Sequence, residues 1–246
     1  LLNRIRADTS LSGTVDQARR YINIALQDMH LGFREKLPWA ERQAVLLTHN
    51  DYTTGTVTID QGATSLVGVS TLWATATDFG FNNARVGGKI KISGEEVYEV
   101  SAVGSNTTIT LVTRYVSADE AAAAYTYFED EYELASDFLR PVDLRSFDTG
   151  NSIQLTDRRT LRRMYPRNNI VGKPKYAALI DKPFSGSTTP VRRVVFARPP
   201  DDVYAIPYAY ITANLAVSSA GVEATLLSAD TDEPIVPVQY RHILVL

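Results

Sequence analysis

Three histidines, His30, His49 and His242, are the only imidazoles in the chain, and none stands at a metal-binding spacing such as H-E-x-x-H. Each reads as a surface or partly buried side chain. There is no cysteine, which removes disulfides, thiolate nucleophiles and cysteine-ligated zinc together. Val86-Gly-Gly-Lys89 has the glycine pair and lysine of a phosphate loop but lacks the outer glycine and the following Ser or Thr. Asp230-Thr-Asp232 begins like a calcium loop without its third ligand, its glycine or its distal glutamate. No G-x-S-x-G elbow is present. Two acids about 5–9 Å apart would suffice for glycoside hydrolysis, and Trp39, Trp73 and the 13 tyrosines would suit a sugar platform, though such residues more often serve cores and interfaces. These patterns point to no catalytic residue, no cofactor and no metal, and the chain reads as a non-enzyme.

Two charge clusters carry the remaining chemistry. Glu129, Asp130, Glu131 and Glu133 follow one another closely, and in an alternating strand Glu131 and Glu133 face one way. They read as a solvated edge that resists strand addition, or as an acidic surface facing a partner or DNA. Thr156-Asp-Arg-Arg-Thr-Leu-Arg-Arg-Met-Tyr165 reads as a short helix stopped by Pro166, with Thr156 as N-cap. Leu161, Met164 and Tyr165 form its buried stripe. Arg158, Arg159, Arg162 and Arg163 lie opposite, with Arg167, Lys173 and Lys175 just beyond. This patch reads as a solvated face, as an ionic contact with the acidic surface of a neighbouring subunit, or as a phosphate contact. No aromatic residues are interleaved with it as a single-strand groove requires.

The elements that must position these clusters begin with a helix. Thr14-Val-Asp-Gln17 is a capping box. Val15, Ala18, Ile22, Ala25, Leu26 and Met29 recur at helical spacing, and Gly32 closes the helix. Tyr21 and Ile24 widen its apolar surface, and Ile22 and Leu26 are candidate contacts within the subunit or with a neighbour. After Pro38-Trp39, Arg42–Thr48 reads as a strand. From Tyr52 to Pro141, alternation, frequent β-branched residues and Gly, Asn and Asp breaks indicate short strands and tight turns. Ala118–Ala124 lies between strand-like runs and reads as a loop carrying one helical turn. Further on, Arg193–Ala197 and Tyr204–Ile211 flank Pro199-Pro-Asp-Asp202 and read as a hairpin, with Pro207 at an edge or bulge.

Both ends read as cut through helices. Leu1-Leu-Asn-Arg-Ile5 looks like part of one, and Tyr240-Arg-His-Ile-Leu-Val-Leu246 like the opening of another. The fold expected is therefore α+β. It has a helical base, built from the N-terminal helix and a truncated C-terminal one, an inserted β-barrel or sandwich, and a second β-rich region. The segments are 1–50, 51–130 and 131–246. A net charge of −3 gives no global footprint for nucleic acid, and no apolar run approaches the roughly 20 residues that span a bilayer.

Several segments together resemble the head-to-tail connector proteins of tailed bacteriophages, the group of portal adaptors and tail-tubular proteins of short-tailed phages. They are Asn3-Arg-Ile-Arg6 with Tyr21–Asp28, Tyr52–Ile59 with Leu66-Val-Gly68 and Trp73, and Gly87-Gly-Lys-Ile-Lys-Ile92. Glu131-Tyr-Glu-Leu-Ala-Ser-Asp-Phe138 resembles that group's YxLPxDF, with Ala135 where proline is usual, and Pro234–His242 resembles the lead into its C-terminal helices. The resemblance implies a homo-oligomeric ring, of twelve copies, docked on a portal protein at the head-tail interface of the virion after assembly in the bacterial cytoplasm. It implies a DNA conduit without sequence-specific binding, a platform for a downstream tail or nozzle protein, no membrane and no cofactor. Candidate contacts are Arg158, Arg159, Arg162, Arg163, Glu129, Glu131, Glu133, Ile22, Leu26 and Tyr240. The alternative is a carbohydrate-binding or glycan-hydrolysing β protein with Trp73, Tyr98 or Tyr125 lining an exposed groove.

Overall fold

The computed structural model describes residues 15–32, 37–94, 96–143, 145, 147–148, 150, 152–166, 170–183 and 190–245. The 1–5 helical face, Thr14, Arg167, residues 184–189 and the His242 side chain lie outside these residues.

Helix α1 (Val15–Gly32) is followed by a 3-10 turn (Pro38–Ala40) and β1 (Glu41–Leu47). Then come β2 (Thr56–Ile59), β3 (Ser65–Val69), β4 (Lys89–Ile92), β5 (Val97–Ser105), β6 (Thr108–Leu111), β7 (Glu120–Ala123), β8 (Tyr125–Phe128) and β9 (Glu131–Glu133). β10 (Phe138–Pro141), β11 (Phe147–Asp148) and β12 (Ser152–Thr156) lead to helix α2 (Arg158–Met164). β13 (Tyr176–Pro183), β14 (Pro190–Phe196) and β15 (Ala205–Thr212) follow, then β16 (Ala216–Val217), β17 (Glu223–Ala224), β18 (Glu233–Pro234) and a 3-10 turn (Val238–Val245).

The protein is 42% strand and 15% helix, with two α-helices among the described residues and two curled sheets. The α+β expectation of a helical base carrying an inserted barrel is therefore overturned. The alternating, β-branched texture read as one inserted module runs through most of the chain, and a single long helix has no helical layer to join. The chain divides into two compact units, one of Leu1–Ala44, Asp137–Asp143 and Ala209–Leu246, the other of Val45–Ser136 and Leu144–Tyr208.

In the first unit, α1 buries Ile22, Leu26 and Met29 against Leu215, Ala216, Leu227, Val236 and Leu244. Its partners are the small sheet β17-β16-β18 and the final turn. Asn23 fixes the register by exchanging two 3.0 Å hydrogen bonds with the Leu227 backbone. The C-terminal segment is a 3-10 turn, not the opening of an α-helix. Val238, Ile243 and Val245 are β-branched and weak helix formers. Arg241 donates back to the Val236 and Pro234 carbonyls (2.9 and 3.1 Å), holding the chain in a tight winding.

The second unit holds a seven-stranded sheet in the order β7-β2-β3-β6-β5-β4-β8. Its two edge strands, β7 and β8, are consecutive in the chain, so the sheet curls until one segment occupies both edges. Inside it Val57, Ile59, Leu66, Trp73, Ile90, Val100, Ile109, Tyr125 and Tyr127 form the core. Within the Ala118–Ala124 run, Glu120–Ala123 is strand β7 and not a helical turn. Val57 and Ile59 pair with Ala123 and Glu120, and Ala122 takes φ 53, the bend that lets the chain pass from one edge to the other.

A second sheet in this unit includes the run β11-β12-β13-β14-β9. β12 and β13 are parallel, a pairing that demands a crossover, and α2 lies within it. Leu161 packs with Ala178, Ile180, Val195 and Ala197. Met164 is exposed, contrary to the expected stripe. The N-cap is Asp157, which accepts from Thr160 N at 2.9 Å, where Thr156 was expected; Thr156 is the last residue of β12 and pairs with Ala178. β14 and β15 are not a hairpin. β14 is flanked by β13 and β9, so no edge is left for β15, which takes β11 through Phe147 opposite Tyr208.

Candidate functional site

A dense gathering of ionisable groups lies in the second unit, where the curled sheet meets β9 and β14. It starts from a turn. Gly87 has φ 84, and at Gly88 a Cβ would overlap the Tyr127 ring and hydroxyl, so a glycine lets Tyr127 lie against the backbone. The Tyr127 hydroxyl accepts from Arg85 N (2.8 Å) and donates to Glu129 Oε1 (2.6 Å). Arg85 meets Glu129 with two donors, Nε to Oε1 at 2.9 Å and Nη2 to Oε2.

The pairing continues outward. β4–β8 register sets Lys89 opposite Phe128, so its ammonium reaches Asp130 (2.6 Å) and Glu131 (3.6 Å). Lys182 on β13 binds both oxygens of Glu99 (2.9 Å each) and Glu131 (3.1 Å). Arg193 on β14 binds Glu133 (2.8 Å) and faces Glu131 (4.0 Å). Glu99 belongs to the first sheet and Lys182 to the second, so the network ties the two sheets of this unit together. Arg85, Gly87, Gly88, Glu129, Glu133 and Arg193 line a cleft of about 240 Å³ beside it.

Its electrostatics favour fixed charges. Burial pushes the Glu131 carboxyl up, but Lys89 and then Lys182 outweigh this and hold it below its ordinary value. Burial opposes the Lys182 charge, yet Glu99 and Glu131 raise its pKa. Burial, then Glu129, pushes the Tyr127 phenol well above its usual range, and Tyr132 likewise, so both hydroxyls remain hydrogen-bond donors. Every carboxylate here has a cation or donor, so the arrangement acts as an electrostatic clamp. No group of three or more His, Asp or Glu suited to a metal occurs among the described residues.

The acidic cluster is thus not a solvated edge. The Glu129, Asp130 and Glu131 side chains are buried, and Glu133 alone of the four is exposed. Arg158 and Arg162 line a small cleft with Lys89, Asp130 and Glu131, so part of the basic helix faces the acidic cluster within one subunit. Arg159 and Arg163 are exposed. Ile22 and Leu26 are buried in the core of the first unit, whereas Tyr21 (63%) and Ile24 (43%) are the exposed apolar residues of α1. Tyr240 is exposed and its ring packs, tilted by 30°, against Trp39, ring centres 5.4 Å apart.

Trp73, Tyr98 and Tyr125, the proposed sugar platform, are all buried. Trp73 Nε1 donates to the Tyr125 hydroxyl at 3.0 Å. His30 and His49 are also buried rather than at the surface. His30 Nε2 lies 2.6 Å from the Thr212 carbonyl, and His49 Nε2 lies 3.1 Å from that of Asn82. Sequence reading missed Arg85, Lys89, Glu99, Lys182 and Arg193. The signal available for Lys89 was the Lys-Ile-Lys-Ile92 alternation, but its partner depends on β4–β8 register. No family model, curated protein or solved structure matches the chain significantly. Among the described residues no helix is long and apolar enough to cross a membrane.

Proposed function

We propose that this protein is a structural subunit of a virion, an adaptor that assembles as a homo-oligomeric ring at the head-to-tail junction of a tailed bacteriophage. The likeness to connector proteins in the sequence suggests the class. The observation that carries the reading in the structure is one face of the curled sheet. On β2, β3 and β6 the outward residues are Thr56, Thr58, Ser65, Val67, Val69, Thr108 and Thr110. None is charged, in a chain of which 22% is charged, and Val67 (51%) and Val69 (61%) stand exposed at its centre. An exposed, uncharged β face is suited to burial against another protein.

In this reading the ring contact is made by β faces and by Tyr21 and Ile24 rather than by a helical base. The partners are further copies, twelve to a ring, the portal protein, a downstream tail protein, and DNA passing without sequence-specific contact. Mass photometry of the protein alone and with portal rings of the same virus tests it. A discrete complex with about one copy per portal subunit, lost in Val67→Glu/Val69→Glu, is the expected result. An unchanged portal mass with folded protein overturns it.

A further inference from the structure

After α2 the chain returns to β13 through Lys173-Pro-Lys175, and Arg198 follows the end of β14. These three cations rim a pocket of about 290 Å³ floored by Tyr165, Tyr176 and Ala197. The rims are tied by the Gly172 N–Pro199 O and Ala197 N–Tyr176 O hydrogen bonds, both 2.9 Å. The two tyrosine rings are 6.2 Å apart at 39°. The Arg198 guanidinium lies 5.6 Å from the centre of the Tyr165 ring, and Lys173 Nζ is 5.6 Å from the centre of the Tyr204 ring.

Lys173, Lys175 and Arg198 are exposed, and among the described residues none is paired with a carboxylate. Asp201, close by in the chain, accepts from the Tyr204 hydroxyl at 2.8 Å. Tyr165 also walls the neighbouring cleft in which Arg162 lies with Asp130 and Glu131. Aromatic rings amid unpaired cations are the arrangement that holds a phosphodiester chain while its bases stack. The sequence hides it, because Tyr165 and Tyr176 come together only when α2 packs on β13.

We propose that this pocket binds single-stranded nucleic acid, its phosphates on Lys173, Lys175 and Arg198 and a base on the partly exposed edge of Tyr176. An acidic peptide would satisfy the cations but leave the rings without a partner. The inference goes beyond the ring reading and does not depend on it.

Fluorescence anisotropy with a labelled oligo(dT) of about 20 nucleotides, at about 50 and 200 mM salt, tests it. Binding should weaken with salt, and K173E/K175E should raise Kd at least ~10-fold and flatten the slope of log K against log salt by about 1.4, roughly 0.7 per phosphate contact. Tyr176→Ala should raise Kd by about 10-fold. Arg159→Glu, outside the pocket, should stay within about twofold, since its cation is not one of the three contacts. Thermal melts confirm folding, and K173Q/K175Q carries the same test if the reversed pair does not fold. Absence of salt-dependent binding, or wild-type affinity in the pocket variants, overturns the proposal. So does competition by polyglutamate equal to that of the oligonucleotide with Tyr176→Ala inert, which would mark a site for acidic chains.

Discussion

In one part of the second unit, four cations and five carboxylates from Arg85 to Arg193 meet as ion pairs and are largely withdrawn from water. In another part of the same unit, Lys173, Lys175 and Arg198 share a pocket with two tyrosines and no acid. The residue types are alike; the register differs. Lys89 sits beside Asp130 because β4 pairs with β8, and Arg193 beside Glu133 because β14 pairs with β9. The residues of the basic pocket lie on the crossover and past the end of β14, where no facing strand delivers an acid. Charges set by strand pairing are spent on holding sheets together, and charges on connections stay available to something outside the chain.

The largest effect should come from breaking a pair in the buried set. Lys89→Ala removes the ammonium beside which Asp130 and Glu131 are buried, and should cost about 3–5 kcal/mol in urea unfolding. A loss under ~1 kcal/mol, the range of exposed pairs, would erase the distinction drawn between the two regions. Gly88→Ala should follow, at about 1–3 kcal/mol, because the new methyl displaces Tyr127 and with it the Tyr127–Glu129 hydrogen bond.

An acid titration sharpens the contrast further. Glu131 has a folded-state pKa below its ordinary value of 4.5, so below that pH the unfolded chain binds more protons than the folded one. Stability should be fully present above pH 4.5 and decline as the pH drops through the folded-state value. Glu131→Gln should flatten that decline, and an unaltered slope would remove Glu131 from the clamp. The smallest effect belongs to the exposed arginines. Arg159→Ala and Arg163→Ala should shift stability by no more than about 0.5 kcal/mol, and a larger loss by calorimetry would show that they too are spent internally.

Local signals were legible where local physics decides. The apolar spacing of α1, the Arg42–Thr48 strand and the arginine-rich helix are each written in consecutive residues. Thr156 was mistaken for the cap because cap chemistry is shared with its neighbour Asp157, and only the path of β12 separates them. The helical base failed because one C-terminal run with β-branched residues and a back-bonding arginine winds as a 3-10 turn. The acidic cluster was read as exposed because the cations that neutralise Glu129, Asp130 and Glu131 lie 41–51 residues away along the chain. The tyrosines of the basic pocket were visible singly; their meeting depends on a parallel pairing that no short window contains.

The run Glu120–Phe128 supplies both edges of the curled sheet. Val57 meets Ala123 across more than sixty residues of chain, so its closure is dominated by non-local contacts, the kind that slow folding. On a ribosome, β2 to β6 emerge first and must wait, with two open edges, until the chain from Val112 to Phe128 follows and delivers β7 and β8. That interval is when the nascent sheet is open to a foreign strand, and a translational pause just before Glu120 would lengthen it.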